Sequence, residues 1–190
     1  MAFVLVPHLD PTYESQMVPL LSKVSLISVV KATQGMVVEP GHAYVIPSNH
    51  FLAIEDGVLQ LTTPPTPQGR ETAIDFFLQS LAKDQGEHAV GIVLSGTGSH
   101  GTLGVQDIKR AGGMGIAQEP TTAEFDAMPT SIIRERLADF VLPPKEMAES
   151  LIEYFHQSHI DPSKKKLSND ASEAEHIDTI VKLLRKQTQY

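Results

Sequence analysis

Hydrophobic and polar positions along this chain switch repeatedly between a strand-like and a helix-like pattern. Phe3-Val4-Leu5-Val6-Pro7 is apolar throughout, as a strand buried on both faces is, and it delivers His8 and Asp10 to a loop at its carboxyl end. Pro11 and Thr12 start a helix whose apolar positions Met17, Val18, Leu20 and Leu21 face a core, with Glu14 favourable in its first turn. The β-branched stretch Val24 to Val30 predicts the next strand. From Met36 to Thr62 the pattern changes to short strands, punctuated by Pro40-Gly41, Pro47-Ser48-Asn49 and Glu55-Asp56-Gly57. Asp-Gly between apolar runs is a hairpin cue, so the segment predicts an antiparallel excursion on a parallel sheet. Thr62 to Gly69, TTPPTPQG, predicts a stiff surface loop because its prolines cannot join regular structure.

Arg70 to Gln85 carries Ala73, Ile74, Phe76, Phe77, Leu78, Leu81 and Ala82, a helix with a broad apolar face that Gly86 ends. The central unit follows. The run Gly91-Ile92-Val93-Leu94-Ser95 meets the cluster Gly96-Thr97-Gly98-Ser99-His100-Gly101, and apolar residues then recur at Leu103, Val105, Ile108 and Ala111. Gly112-Gly113 stops that helix, and Met114 to Gln118 is a second apolar run. This is a βαβ unit with a glycine loop at the carboxyl end of a strand, where open parallel sheets place ligand sites. His100 is the one titratable side chain within the loop. Pro129 opens a helical turn to Arg136, Phe140-Val141-Leu142 is a short strand, and a helix runs from about Lys145 to His159. The fold class read from this order is α/β, with a mainly parallel, doubly wound sheet and a short antiparallel excursion.

By spacing alone, Gly96-x-Gly98-x-x-Gly101 fits the dinucleotide-binding fingerprint, with Glu119 near the position of the ribose-binding acid. The motif normally opens its domain, whereas here it arrives midway, after a strand-rich stretch. The alternative is that these glycines merely fit a tight strand-to-helix turn.

Composition narrows the function classes. With 190 residues, 41% hydrophobic and 20% charged, the chain can bury one core of ordinary size. The absence of cysteine excludes disulfides and cysteine-ligated metals and suits a reducing cytoplasm. A net charge of −8 argues against a nucleic-acid or anionic-membrane surface. No apolar run approaches the about 18 residues of a membrane span. Met1-Ala2-Phe3-Val4 has no basic stretch before its apolar residues, so no secretory signal is expected. A cytoplasmic protein with a protein or small-molecule partner is expected, with no nucleic acid and no membrane insertion.

A wider set of motifs carries a resemblance. Val93-Leu94-Ser95-Gly96-Thr97-Gly98-Ser99, Gly112-Gly113, Ala117-Gln118-Glu119-Pro120, Thr122-Ala123-Glu124-Phe125-Asp126, Met128-Pro129 and Phe140-Val141-Leu142-Pro143-Pro144 stand in that order. Upstream are His8-Leu9-Asp10-Pro11, Tyr44-Val45-Ile46-Pro47-Ser48-Asn49 and Asp56-Gly57-Val58-Leu59. Over about residues 1 to 155 the chain resembles the catalytic domain of the CheB family, the chemotaxis protein-glutamate methylesterases, especially the form fused to a CheR-type receptor methyltransferase. The resemblance implies an esterase that hydrolyses glutamyl methyl esters on chemoreceptors and deamidates some receptor glutamines, through a Ser-His-Asp triad and without a cofactor. It makes the dinucleotide reading a minor alternative. Its implied partners are a methylated chemoreceptor-like protein and a fused or associated CheR-type methyltransferase.

Carried over residue by residue, His8 matches the triad histidine, Thr97 and Gly98 lie in the loop lining the site, and Met128-Pro129 matches a loop near it. His100 stands where the family pattern Gly-x-Gly-x-Asp-Gly has the triad aspartate. The family's serine belongs to a Gly-Ala-Ser-Ala-Gly-Gly loop after a first strand; this sequence starts at the family's second strand, so the first βα unit and the serine are expected to be missing. Ser95 and Ser99 are not in a Gly-x-Ser-x-Gly elbow and read as turn hydroxyls. In serine proteases, neutralising the triad carboxylate lowers kcat about 10⁴-fold. Without the serine no covalent step occurs, so the chain by itself is expected to lack esterase activity. Either it belongs to a longer protein, or it is a degenerate binding or scaffold module of a chemotaxis-type signalling protein; the exchanged aspartate favours the second.

Residues 1–159 thus form the expected domain, 160–172 a solvated linker with Lys164 to Lys166, and 173–190 a helix leading out of the domain, with Ile177, Ile180, Val181 and Leu184 at helical spacing. A metal held by His8, His100 and Asp10 is disfavoured, because two histidines from different loops lack the spacing of a dedicated site. Arg70 reads as a helix-end or surface ion pair, and Phe125 as core.

Overall fold

A computed structural model describes residues 1–7, 16–63 and 72–158. His8, Asp10, Arg70 and the expected linker and final helix lie outside the described residues. Among the described residues no helix is long and apolar enough to cross a membrane.

The elements run β1 (Phe3–Leu5), α1 (Met17–Ser22), β2 (Ser28–Lys31), β3 (Met36–Val37), β4 (His42–Val45), β5 (Phe51–Glu55), β6 (Val58–Thr62), α2 (Ala73–Gln85), β7 (Val90–Val93), α3 (Thr102–Arg110), β8 (Met114–Gln118), α4 (Ala127–Arg134), β9 (Phe140–Leu142) and α5 (Pro144–Ser158). Short 3₁₀ turns at Gly86–His88 and Pro120–Thr122 fill two connections. Strands β1, β4 and β2 form one parallel sheet in that order, and β7, β8 and β9 form another. Strands β3, β6 and β5 form the expected antiparallel sheet, turning at Asp56-Gly57, both of which have positive φ.

The stretch from Met36 to Thr62 is therefore only partly antiparallel. His42 to Val45 inserts between β1 and β2 as the middle strand of a parallel sheet, with Ala43, Tyr44 and Val45 all buried. A strand covered on both faces has no polar alternation to announce its direction, so its distant partners decide it.

The two parallel sheets share their covering layers. On one face, Phe3 packs against the cluster of Leu5, Met17, Leu21 and Val29 beneath α1, and also against Met114, Ile116, Met147 and Leu151 beneath α5. On the other face, Val4, Val6 and Tyr44 join Val93, Ala117 and Ile132 in the largest core, together with Phe77 and Leu78 of α2 and Ile108 of α3. Helices cover both faces, as a doubly wound α/β fold requires. Each fully buried Leu, Ile or Phe in these layers contributes roughly 1.5–3 kcal/mol of transfer free energy, so the layers, more than the three-residue strands, hold the fold.

Helix α2 has a chemical start and stop. The Thr72 Oγ1 accepts the N–H of Asp75 at 3.1 Å and donates to Asp75 Oδ2 at 2.6 Å, and Gly86, at φ +54, ends the helix with its N–H bonded to the Ala82 carbonyl. Pro129 lies in the third position of α4 rather than opening it. Proline is tolerated there because the first turn's N–H groups have no partner within the helix.

Candidate functional site

The glycine loop sits where the sequence placed it, between the carboxyl end of β7 and the amino end of α3. Gly98 and Gly101 have φ of +80° and +89°, values that L side chains rarely adopt, so the loop's path depends on glycine at both positions. A Cβ on Gly101 would press Ile74 at 3.3 Å and Val93 at 3.4 Å, which shows how closely the turn lies on the core. Thr97, Gly98 and Ser99 are exposed, while His100 is half-buried with its Nε2 over Gly98, 3.4 Å from where a Cβ would stand.

A polar web ties this loop to the segment after β8. Gln118, buried at 3% exposure, accepts the N–H of Ser95 on Oε1 at 2.8 Å and donates from Nε2 to the Thr122 carbonyl at 2.9 Å. The Ser95 hydroxyl oxygen accepts the N–H of Phe125 at 3.0 Å. The Gly96 N–H donates to the Phe125 carbonyl at 2.9 Å, and the Met128 N–H to the Gly96 carbonyl at 3.0 Å. Met128 stands in the first turn of α4 with its sulfur closed against Gly96, where any Cβ would overlap it, and belongs to the main core. Phe125, expected in the core, is 46% exposed beside this web.

The amino end of α3 already meets a protein carboxylate. Asp75 of α2, 3% exposed, accepts the N–H of Gly104 on Oδ1 at 3.0 Å. Thr102 and Ser131 link α3 to α4 through their hydroxyls, and Ser131 donates onward to the Met128 carbonyl at 3.1 Å. A protein carboxylate at this helix start opposes a pyrophosphate there, where a dinucleotide site needs free N–H groups and positive potential. That geometry argues against the dinucleotide reading of the loop.

The model for CheB methylesterase matches residues 1–151. The chain belongs to the CheB methylesterase family. The Thermotoga maritima CheB methylesterase catalytic domain superposes with a TM-score of 0.73 at 31% identity, over 80% of this chain and 82% of that one. A protein-glutamate methylesterase/protein-glutamine glutaminase of Pyrococcus abyssi is 32% identical over 153 residues, 78% of this chain and 42% of its own length. Its counterpart in Photorhabdus laumondii is 28% identical over 155 residues, 80% of this chain and 44% of its own length. The chain spans less than half the length of these relatives.

Of the residues singled out from this CheB-family resemblance, Thr97, Gly98, His100 and Met128 gather around one loop, while His8 lies outside the described residues. Met128 is in a helix rather than a loop, because α4 starts at Ala127, two residues before Pro129. Gln118 and Asp75 escaped the sequence reading as organising residues. Gln118 stood within the matched Ala117-Gln118-Glu119-Pro120 motif, and an amide at the end of an otherwise apolar strand was the signal to follow.

Proposed function

We propose that this chain is the receptor-handling domain of a protein-glutamate methylesterase whose hydrolytic centre is incomplete within residues 1–190. The complete reaction in such a centre is attack of a serine hydroxyl on a glutamyl methyl ester, with a histidine taking the serine proton and returning it to the methanol that leaves. Water then releases the glutamate. A carboxylate beside the histidine sets its tautomer and balances the charge that forms on it. His8 is the proposed base and His100 the residue in the carboxylate's place, so an imidazole replaces an anion. A neutral His100 accepts a hydrogen bond from another imidazole but cannot balance an imidazolium.

No Gly-x-Ser-x-Gly sequence occurs in these residues, and the Ser95 hydroxyl is engaged by the Phe125 N–H. The observation that carries this reading is His100 in the glycine loop at the carboxyl end of β7, within a scaffold of the CheB family. It also favours the second reading, a binding or scaffold module that holds a methylated chemoreceptor tail, alone or alongside a CheR-type methyltransferase. Titrating residues 1–190 with the cytoplasmic fragment of a methylated receptor tests both. Saturable binding without methanol release supports the proposal; absence of binding to methylated and unmethylated receptor alike overturns it.

A further inference from the structure

The segment between β8 and α4 runs beside the glycine loop with its backbone fixed. Phe125 donates its N–H to the Ser95 hydroxyl at 3.0 Å and accepts the Gly96 N–H on its carbonyl at 2.9 Å. On either side, the Thr122 carbonyl accepts from Gln118, and the Met128 N–H donates to the Gly96 carbonyl. Glu124, Phe125 and Asp126 are thereby held next to the stretch that leads into the exposed Thr97, Gly98 and Ser99.

The side chains on this fixed backbone face water. Glu124, Phe125 and Asp126 are all exposed, although Gln118 before them and Met128 after them are buried. Phe125 keeps 46% exposure, a large apolar surface open to a ligand. Asp126 precedes α4, where an aspartate ordinarily accepts a helix N–H, yet it makes no capping bond, its own backbone being already helical at φ −90° and ψ −5°. Among the described residues neither Glu124 nor Asp126 forms an ion pair or a side-chain hydrogen bond. The cations of α3 and α4 are engaged by other acids: Lys109 by Asp139, Arg110 by Asp107 and Arg134 by Glu135.

We propose that Glu124, Phe125 and Asp126 read the methylation state of a receptor glutamyl side chain: the ring receives the methyl group of the ester, and the two carboxylates repel the free glutamate. This assignment rests on the receptor-handling role. A methyl ester is neutral and ends in an apolar group, whereas a glutamate carries a full negative charge. Discrimination then comes from one attractive and one repulsive element. In water a like charge about 8 Å away weakens binding by roughly twofold, so two acids weaken it by about fivefold. Glutamine is neutral and escapes the repulsion, but it lacks the methyl, whose burial on the ring is worth about three- to fourfold in affinity.

The test compares the affinity of residues 1–190 for a chemoreceptor cytoplasmic fragment that carries methyl ester, glutamine or glutamate at the same positions. Calorimetric titration at low salt is expected to find the ester tightest, glutamine about three- to fourfold weaker, and glutamate about fivefold weaker again. In 1 M salt, where the screening length is about 3 Å, the difference between glutamine and glutamate closes. Glu124→Gln with Asp126→Asn closes it at low salt too, and an unchanged thermal melt shows the fold intact. Phe125→Ala removes the difference between ester and glutamine, and Phe125→Leu keeps part of it. An unchanged ester-to-glutamate ratio in the double variant overturns the proposal, as does tighter binding of glutamate by the unmodified chain. Equal binding of all three fragments overturns it while leaving the receptor-handling role in place; binding of none overturns both.

Discussion

Gln118 fastens the carboxyl ends of two adjacent strands: its Oε1 accepts the Ser95 N–H at 2.8 Å, and its Nε2 donates to the Thr122 carbonyl at 2.9 Å. The loop after β7 and the turn after β8 are thereby held by one buried side chain. Gln118→Ala leaves the Ser95 N–H and the Thr122 carbonyl without this partner, and each such orphaned group costs about 1–3 kcal/mol. For a domain of this size each kcal/mol lowers Tm by about 2–4 °C. The expected result is a destabilised protein by thermal melt, with faster amide exchange at Ser95 and Gly96 than in the strands. Unchanged exchange there would assign the loop's order to packing alone.

Asp75 acts at the far side of the same loop. Its Oδ1 accepts the Gly104 N–H and its Oδ2 accepts the Thr72 hydroxyl, so it caps α3 while buried in α2. Asp75→Ala removes both acceptors and costs about 2–4 kcal/mol, at the upper end of the range for hydrogen bonds to a charged group. Asp75→Asn keeps one amide oxygen and costs less. Urea unfolding of both variants distinguishes them; equal losses would mean that only one of the two bonds matters.

Gly96 and Met128 are in tight contact, and a Cβ on Gly96 would overlap the methionine sulfur. Gly96→Ala is expected to cost about 1–3 kcal/mol through overpacking. Adding Met128→Ala opens space at that point, so the double variant loses less than the sum of the single losses, with a coupling of about 0.5–3 kcal/mol. At Gly115 the corresponding Cβ would overlap the backbone carbonyl of Leu137, which no side-chain truncation relieves. Denaturation of the four variants reads this contrast, and additive losses at Gly96 and Met128 would contradict the contact.

Lys109 and Asp139 form an ion pair, with Lys109 Nζ donating to Asp139 Oδ2 at 2.7 Å. Asp139 also accepts the N–H of buried Gly115 at 2.8 Å, at the second residue of β8. The two ends of the pair therefore differ in weight. Lys109→Ala removes a partly exposed pair worth about 0–1 kcal/mol, whereas Asp139→Ala also strands a strand N–H, at about 1–3 kcal/mol. Equal losses in urea unfolding would place the stabilisation in the charges.

Much of this architecture was legible because buried parallel strands announce themselves. The runs at Phe3, Gly91 and Met114, each followed by a loop and a helical pattern, gave the α/β class and the position of the glycine loop. Strand β4 was not legible: HAYV between Pro40-Gly41 and Pro47 looks like its antiparallel neighbours, and its parallel partners are set by packing from β1 and β2. Gln118 and Asp75 were unreadable as organisers because one partner of each, Ser95 and Gly104, lies more than twenty residues away in the chain and meets it only in the fold. The family motifs also pointed to Thr97, Gly98, His100 and Met128, which the fold places at and beside the loop after β7.

Methanol release from a methylated chemoreceptor fragment, measured for residues 1–190 beside His8→Ala and His100→Asp, tests the central claim most directly. The account predicts no turnover above the His8→Ala background for the chain as it stands, and none gained by His100→Asp, since the carboxylate alone supplies no nucleophile. Turnover well above that background, abolished by His8→Ala, would contradict it and establish a working hydrolytic centre within these residues.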